Sequence, residues 1–326
     1  MRAGNGLPFA AFAGATVIWG TTFLAVRIGV ESVPPLWAAT LRLVLASLLL
    51  FAIMRFMRIP LPRGSVLAMT LLFGALEFGV TFALLYWAEQ HVNAGVAATI
   101  FATLPLLTGI FAWTVKLELL TLRKLVGAVI SFVGVALIFA AELQRDVPLA
   151  GLVALVLSVA SMAAATIVLK RTPPRPVIMS NAVGAAVGAV ICLAGSALLL
   201  EQRALPRQPL EWGPILYLTL AGSLGAFLLF TWVARKWNAT SASMVFVLIP
   251  LIAMVLDAVT GARIPSVSAV AGAALVLAGV TLVLVAADSD AIPQLLKRGR
   301  RSRRVPIAVG PVAMKPRAGQ APPPAK

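Results

Sequence analysis

The sequence predicts an all-α integral membrane protein, with ten transmembrane helices forming two inverted-topology five-helix repeats. Three observations predict it. The 326 residues are 60% hydrophobic and only 12% charged, against about 25% charged in a typical soluble domain. The charges stand in short islands between apolar runs long enough to cross a bilayer as helices. One long stretch also occurs twice: Trp87 through Phe139 is answered by Trp232 through Leu284. At a constant offset of 145 positions (232 minus 87), Trp87 falls on Trp232, Asn93 on Asn238, Phe101 on Phe246 and Pro105 on Pro250. Gly127 likewise falls on Gly272 and Gly134 on Gly279. A period this long implies two halves, not a solenoid.

Taken in order, the predicted spans are 8–27, 35–54, 66–87, 95–115, 123–141, 149–169, 177–199, 213–234, 240–260 and 266–287. The first run continues to Arg27 and reads as a span, not a cleaved leader. Cationic connections alternate with poorer ones. Arg55, Arg58, Arg63, Lys116, Arg123, Lys124, Lys170, Arg171, Arg175, Arg235 and Lys236 fall on one side; Arg27, Arg145, Arg203, Arg207 and Arg263 fall on the other. The positive-inside rule then puts both termini in the cytoplasm of a multi-pass protein of the cell (inner) membrane. Five spans per copy is an odd number, so the second copy, 146–290, lies upside down relative to the first, 1–145. Secondary transporters use such inverted repeats to build alternating access around a midplane site. From 291 to 326 the chain is basic and rich in Pro, Gly and Ala, which predicts a disordered cytoplasmic tail drawn to anionic lipid.

Ionisable groups inside spans are costly and mark functional candidates. Arg42 in span 2 and Glu77 in span 3 are the two that stand out, either as an ion pair or as a substrate or proton-coupling site. Glu118 with Arg123 and Lys124 reads as a surface ion pair, Asp257 as an interfacial charge, and Glu89 and His91 as a wet loop. Pro105 and Pro250 fall mid-span, where each removes a backbone donor. A bend beside a cavity would satisfy the freed carbonyls. Trp19, Tyr86, Phe101, Trp232 and Phe246 gather near them, whereas Trp37, Trp212 and Trp237 suit the interfacial belt. The expected substrate-binding set is therefore Trp19, Glu77, Tyr86, Phe101, Pro105, Trp232, Phe246 and Pro250. The glycine pairs 127/134 and 272/279 predict close helix contact, and Gly184 and Gly188 form a GxxxG suited to intimate packing or a homodimer contact.

The single cysteine, Cys192, and single histidine, His91, leave no usual metal spacing and no convergent catalytic cluster. No cofactor, catalytic residue or nucleic-acid role is expected, and no P-loop suggests direct ATP drive.

The opening IWGTTFLAVRIG, then PPLWAATLRLVLASLLL, resembles the first two spans of EamA-type transporters of the drug/metabolite transporter superfamily, through Trp19, Gly20, Phe23, Arg27 and Arg42. The Pro-Leu at the centre of span 4, LELLTL at its exit with Glu118, and Gly127 and Gly134 continue the resemblance. Pro250, Gly272 and Gly279 extend it through the second copy. It implies a ten-helix fold, a cavity between the halves, and movement of a small organic metabolite, often an amino acid, with export favoured. A sugar or nucleotide-sugar carrier of the same superfamily is the near alternative, and a non-transporting membrane scaffold the distant one. Two departures stand out. Arg263 occupies the offset position of Glu118, and span 6 lacks a counterpart of Trp19.

Overall fold

The computed structural model describes residues 6–92, 94–140, 148–259 and 266–302, without the side chains of 23–24, 27–32, 94–95, 209, 253, 256–258 and 287–302. Arg27, Arg145, Asp257, Arg263 and residues 303–326 therefore lie outside the described side chains. The chain divides into two compact units, Met1–Ala287 and Asp288–Lys326.

The described part of the first unit is helical. Helix α1 is Gly6–Ser32 and α2 is Pro35–Phe56. Pro35 opens α2, where its missing N–H costs nothing. The Glu201 carboxylate accepts from the free N–H groups of Leu36 (3.1 Å) and Trp37 (2.9 Å). Helix α3 comprises Gly64–Gly74, a π-helical turn Ala75–Val80, and Thr81–Glu89. Helix α4 comprises Ala94–Phe101 and Leu104–Thr114, and α5 is Leu122–Ile138. Helices α6, Leu149–Arg171, and α7, Val177–Leu198, follow. Helix α8 repeats the plan of α3: Pro209–Tyr217, a π-helical stretch Leu218–Ala226, then Phe227–Lys236. Helix α9 comprises Ala239–Ser243 and Val245–Val259, and α10 runs Val267–Ser302. Among the described residues seven helices are long and apolar enough to cross a membrane, and Ala239–Ile252 is a shorter apolar one. Of the segment 291–326 expected to be disordered, residues 291–302 belong to α10 and the rest lies outside the described residues.

Matching helices of the two copies meet. Helix α2 packs on α7; α1 packs on α8 and α9, as α6 packs on α3 and α4. The predicted glycine pairs lie between α5 and α10. A Cβ on Gly127 would stand 2.8 Å from the Gly279 carbonyl oxygen, and one on Gly134 2.6 Å from that of Gly272. Because 127 meets 279 and 134 meets 272, the two helices cross antiparallel. Gly184 and Gly188 are used inside the chain. Gly184 lies against the Gly74 backbone, where a Cβ on Gly74 would come within 2.6 Å of the Gly184 Cα, and Gly188 lies against Phe78.

The two prolines differ. Helix α4 breaks at Ala102–Thr103 and restarts with Pro105 in its first turn, whereas Pro250 lies inside Val245–Val259, six residues past the break at Met244. A proline at a helix start removes a donor that has no partner anyway, so Pro105 frees no carbonyl of its own segment.

Candidate functional site

Between the helices lies a cavity of about 510 Å³, counting its mouth. Its walls include Trp19, Thr22 and Val26 from α1, Arg42 from α2, and Thr81, Phe82, Tyr86 and Glu89 from α3. Phe101, Met162, Phe227 and Phe246 close it from α4, α6, α8 and α9. It therefore runs from mid-helix (Trp19, Met162, Phe227) toward the end of the bundle that carries Val26 and Glu89.

The aromatic floor is continuous. Trp19 has ring-centroid distances of 4.9 Å to Phe227 and 4.8 Å to Phe246, and Phe82 lies 5.8 Å from both Phe227 and Tyr86. Offset and edge-on packing of this kind suits the ring quadrupoles. The phenylalanines obey the repeat: Phe82 and Phe227 are 145 positions apart, as are Phe101 and Phe246. The polar walls do not. At the offset positions of Trp19, Arg42, Tyr86 and Glu89 stand Ala164, Val187, Thr231 and Ala234.

Arg42 is 4% exposed. Its Nε donates to Ser223 Oγ (2.8 Å) and its Nη1 to Tyr86 Oη (3.0 Å), and its guanidinium carbon lies 4.8 Å from the Phe82 ring centroid. These hydrogen-bond partners are neutral, so none of them offsets the guanidinium charge at the cavity wall. The expected Arg42–Glu77 pair does not form. Glu77 is fully buried in the π-helical turn of α3, outside the cavity, and among the described residues neither carboxyl oxygen has a hydrogen-bond partner. Glu89, read from sequence as wet, instead ends α3 at the cavity wall, within Coulombic range of Arg42.

Of the other expected residues, Trp19, Tyr86, Phe101 and Phe246 line the cavity; Glu77, Pro105, Trp232 and Pro250 do not. Trp232 is half-buried beside Lys236 Nζ, 5.8 Å from its ring. Phe82, Phe227 and Ser223 were missed. Phe82 precedes the repeated stretch by five positions, and extending the offset back that far would have paired it with Phe227.

The opposite end of the bundle is tied together by side-chain contacts. Trp237, expected in the interfacial belt, packs against Phe9 (4.7 Å) and Phe12 (5.2 Å). Its carbonyl accepts from Lys170 Nζ. Arg171 donates to the Val115 carbonyl (2.8 Å). Glu118, expected in a surface ion pair, accepts from the backbone N–H of Ala239 and from Thr240 Oγ1 (2.9 Å), at the N-terminus of α9. A carboxylate is favoured there by the free N–H groups and the helix dipole. Glu118→Ala is therefore expected to cost about 1 kcal/mol, as loss of a helix cap does, read as a lower melting temperature in detergent. An unchanged melting temperature would show that this contact contributes nothing to stability.

Comparison with known proteins agrees with this architecture. The model of the EamA-like transporter family matches residues 7–140 and again 149–285. The protein PagO of Salmonella typhimurium is 30% identical over 279 residues, covering 83% of this chain and 90% of PagO. The Escherichia coli inner membrane transporter YedA is 29% identical over 258 residues, 76% of this chain and 81% of its own. A probable terminal-alkyne amino-acid exporter of Streptantibioticus cattleyicolor is 26% identical over 273 residues, 82% of this chain and 90% of its own. A crystal structure superimposes with a TM-score of 0.74 at 18% identity, covering 86% of this chain and 98% of that one. With two successive matches that span nearly all the helical part, the chain is a membrane protein that belongs to the EamA-like transporter family.

Proposed function

We propose that this protein is a secondary transporter that exports a small zwitterion with an apolar side chain, an amino acid or close relative, across the cytoplasmic membrane by alternating access. The observation that carries the reading is Arg42, a buried cation whose hydrogen-bond partners are neutral, set in an aromatic cavity that runs toward the Val26–Glu89 end of the bundle. The cargo carboxylate pairs with Arg42, its ammonium group lies toward Glu89, and its side chain rests on Trp19, Tyr86, Phe101 and Phe246. Charge-assisted pairing of this kind is stronger than neutral hydrogen bonding, and aromatic walls with a few polar groups are the usual lining of a small-ligand site.

The proposed scaffold is ten transmembrane helices in two inverted repeats, 1–145 and 146–290, with both termini cytoplasmic. The antiparallel crossing of α5 and α10 supports the inversion, because copies of one helix related by a membrane-plane two-fold axis must run oppositely. In that orientation the cavity faces outward and the Glu118–Trp237 end is the closed cytoplasmic side. Pro105 and Pro250 then bear on the mobility of α4 and α9, and the basic tail is drawn to anionic lipid. The amino-acid exporter among the relatives points to the same cargo class.

Purified protein in liposomes preloaded with unlabelled phenylalanine should take up radiolabelled phenylalanine by counterflow. Uptake no faster than in protein-free liposomes, or counterflow with a nucleotide sugar instead, would overturn the amino-acid reading.

A further inference from the structure

The cavity walls carry the hydroxyls of Thr22, Thr81 and Tyr86. The protons of the two threonines are committed. Thr22 Oγ1 donates to the Trp19 carbonyl (2.8 Å), and Thr81 Oγ1 to the carbonyls of Leu76 (2.7 Å) and, more weakly, Ser158 (3.3 Å). The Tyr86 hydroxyl differs. Its Oη accepts from Arg42 Nη1 (3.0 Å), because a guanidinium can only donate. The Tyr86 proton takes no part in that bond, and among the described residues no group accepts it. The side chain is 1% exposed. A buried donor left without an acceptor is costly, so this proton calls for a partner from the cavity.

That partner has to sit beside Arg42. The guanidinium gives its Nε proton to Ser223 and one Nη1 proton to Tyr86, and its central carbon lies 4.8 Å from the Phe82 ring centroid. Its remaining donors are on Nη1 and Nη2. These and the Tyr86 proton belong to neighbouring groups, so two acceptor oxygens on one carbon can take one from each. A carboxylate offers that pair, with charge on both oxygens; an alcohol offers one neutral oxygen and an ammonium group none. The Tyr86 ring packs 5.8 Å from that of Phe82, which fixes where the hydroxyl stands. The repeat supplies a contrast. The position matching Tyr86 is Thr231, whose Oγ1 donates to Asn181 Oδ1 (3.3 Å) and accepts from Asn181 Nδ2 (3.1 Å). Its bonds close within the protein. Of the two matching hydroxyls, the uncommitted one is the one beside the cation.

We propose that the Tyr86 hydroxyl donates to the cargo carboxylate, so that Tyr86 and Arg42 together form a two-point carboxylate site. The inference rests on the amino-acid transport reading and adds to it a specificity-determining residue. The Tyr86 ring supplies apolar wall, while its hydroxyl helps to tell a carboxylate from the corresponding alcohol.

The test uses the full chain in liposomes and measures KM for phenylalanine counterflow. Tyr86→Phe keeps the ring and its packing on Phe82 and removes only the hydroxyl. Ser223→Ala removes the other neutral partner of Arg42, and Ser223 is not a wall of the cavity. A hydroxyl that merely holds Arg42 in place predicts equal effects from the two variants. One that also touches cargo predicts a larger effect from Tyr86→Phe, a rise in KM on the order of tenfold for the loss of one bond to a charged group. An unchanged KM in Tyr86→Phe, or an equal rise in Ser223→Ala, overturns the inference while leaving the transport reading intact. Absence of wild-type counterflow strikes the transport reading and this inference with it. A spectroscopic measurement does not depend on the folding of the Tyr86 variant. The chain has two tyrosines, so in Tyr217→Phe the Cζ resonance of isotopically labelled tyrosine belongs to Tyr86 alone. Saturating phenylalanine should move it downfield, because donation to an anion draws the proton from the ring oxygen, whereas phenylalaninol should not. A resonance that phenylalanine leaves in place, or that phenylalaninol moves equally, overturns the proposed contact.

Discussion

Gly134→Val is expected to leave little folded protein. A Cβ at this position would stand 2.6 Å from the Gly272 carbonyl oxygen and 2.8 Å from the Val276 backbone nitrogen. Neither atom ends a flexible side chain, so relief requires α5 and α10 to separate. That separation also disturbs the second glycine contact, where Gly127 faces Gly279 and Val283. In a bilayer, close backbone approach is itself a main source of helix association. Overpacking of a core costs about 1–3 kcal/mol, and a backbone-to-backbone clash belongs at or above the upper end. The measurement is the monodisperse fraction and melting temperature of detergent-extracted protein. Gly213→Ala, with nothing within 4 Å of the new Cβ, is the matched control and should behave as wild type. Equal melting temperatures for Gly134→Val and wild type would show that α5 and α10 do not touch as described.

Arg42→Met should strongly weaken transport of a carboxylate-bearing cargo while leaving a folded protein. The aliphatic replacement fills much of the same volume against Phe82 but removes the donors to Ser223 and Tyr86. A hydrogen bond to a charged group is worth about 1.5–3 kcal/mol, which is on the order of a tenfold to hundredfold loss of affinity. Arg42→Lys keeps the charge but not the planar fork and should be intermediate. The readouts are KM for phenylalanine counterflow and the rise in melting temperature that saturating phenylalanine produces, since a ligand that binds only the folded state stabilises it. If the Met variant melts lower but retains its KM, Arg42 serves to tie α2 to α3 and α8 and does not touch cargo.

Membrane character, the apolar runs and the glycine pairs were legible because they are properties of a one-dimensional pattern: hydropathy over a span's length and small residues two turns apart. The duplication was legible because it is a comparison of the sequence with itself. It placed Phe101 opposite Phe246, and both line one cavity. Carried five residues further back, it would have found Phe82 and Phe227 too.

What the sequence could not determine was which neighbour each polar group would meet. Arg42 and Glu77 sit on consecutive helices and invite pairing, yet Arg42 turns to Ser223 on α8, 181 positions away. Glu118 has two cations close by in sequence and instead caps a helix 121 positions on. Glu89 follows the third apolar run, so hydropathy assigns it to water, while packing makes it a wall of the cavity. Nor did the string reveal the paired π-helical turns of α3 and α8, which need a count of backbone hydrogen bonds. Spans and repeats follow from the solvent each residue prefers, a local property that sequence records. The surroundings of Arg42, Glu77 and Glu118 follow from how the helices are arranged side by side, and only the tertiary structure decides that.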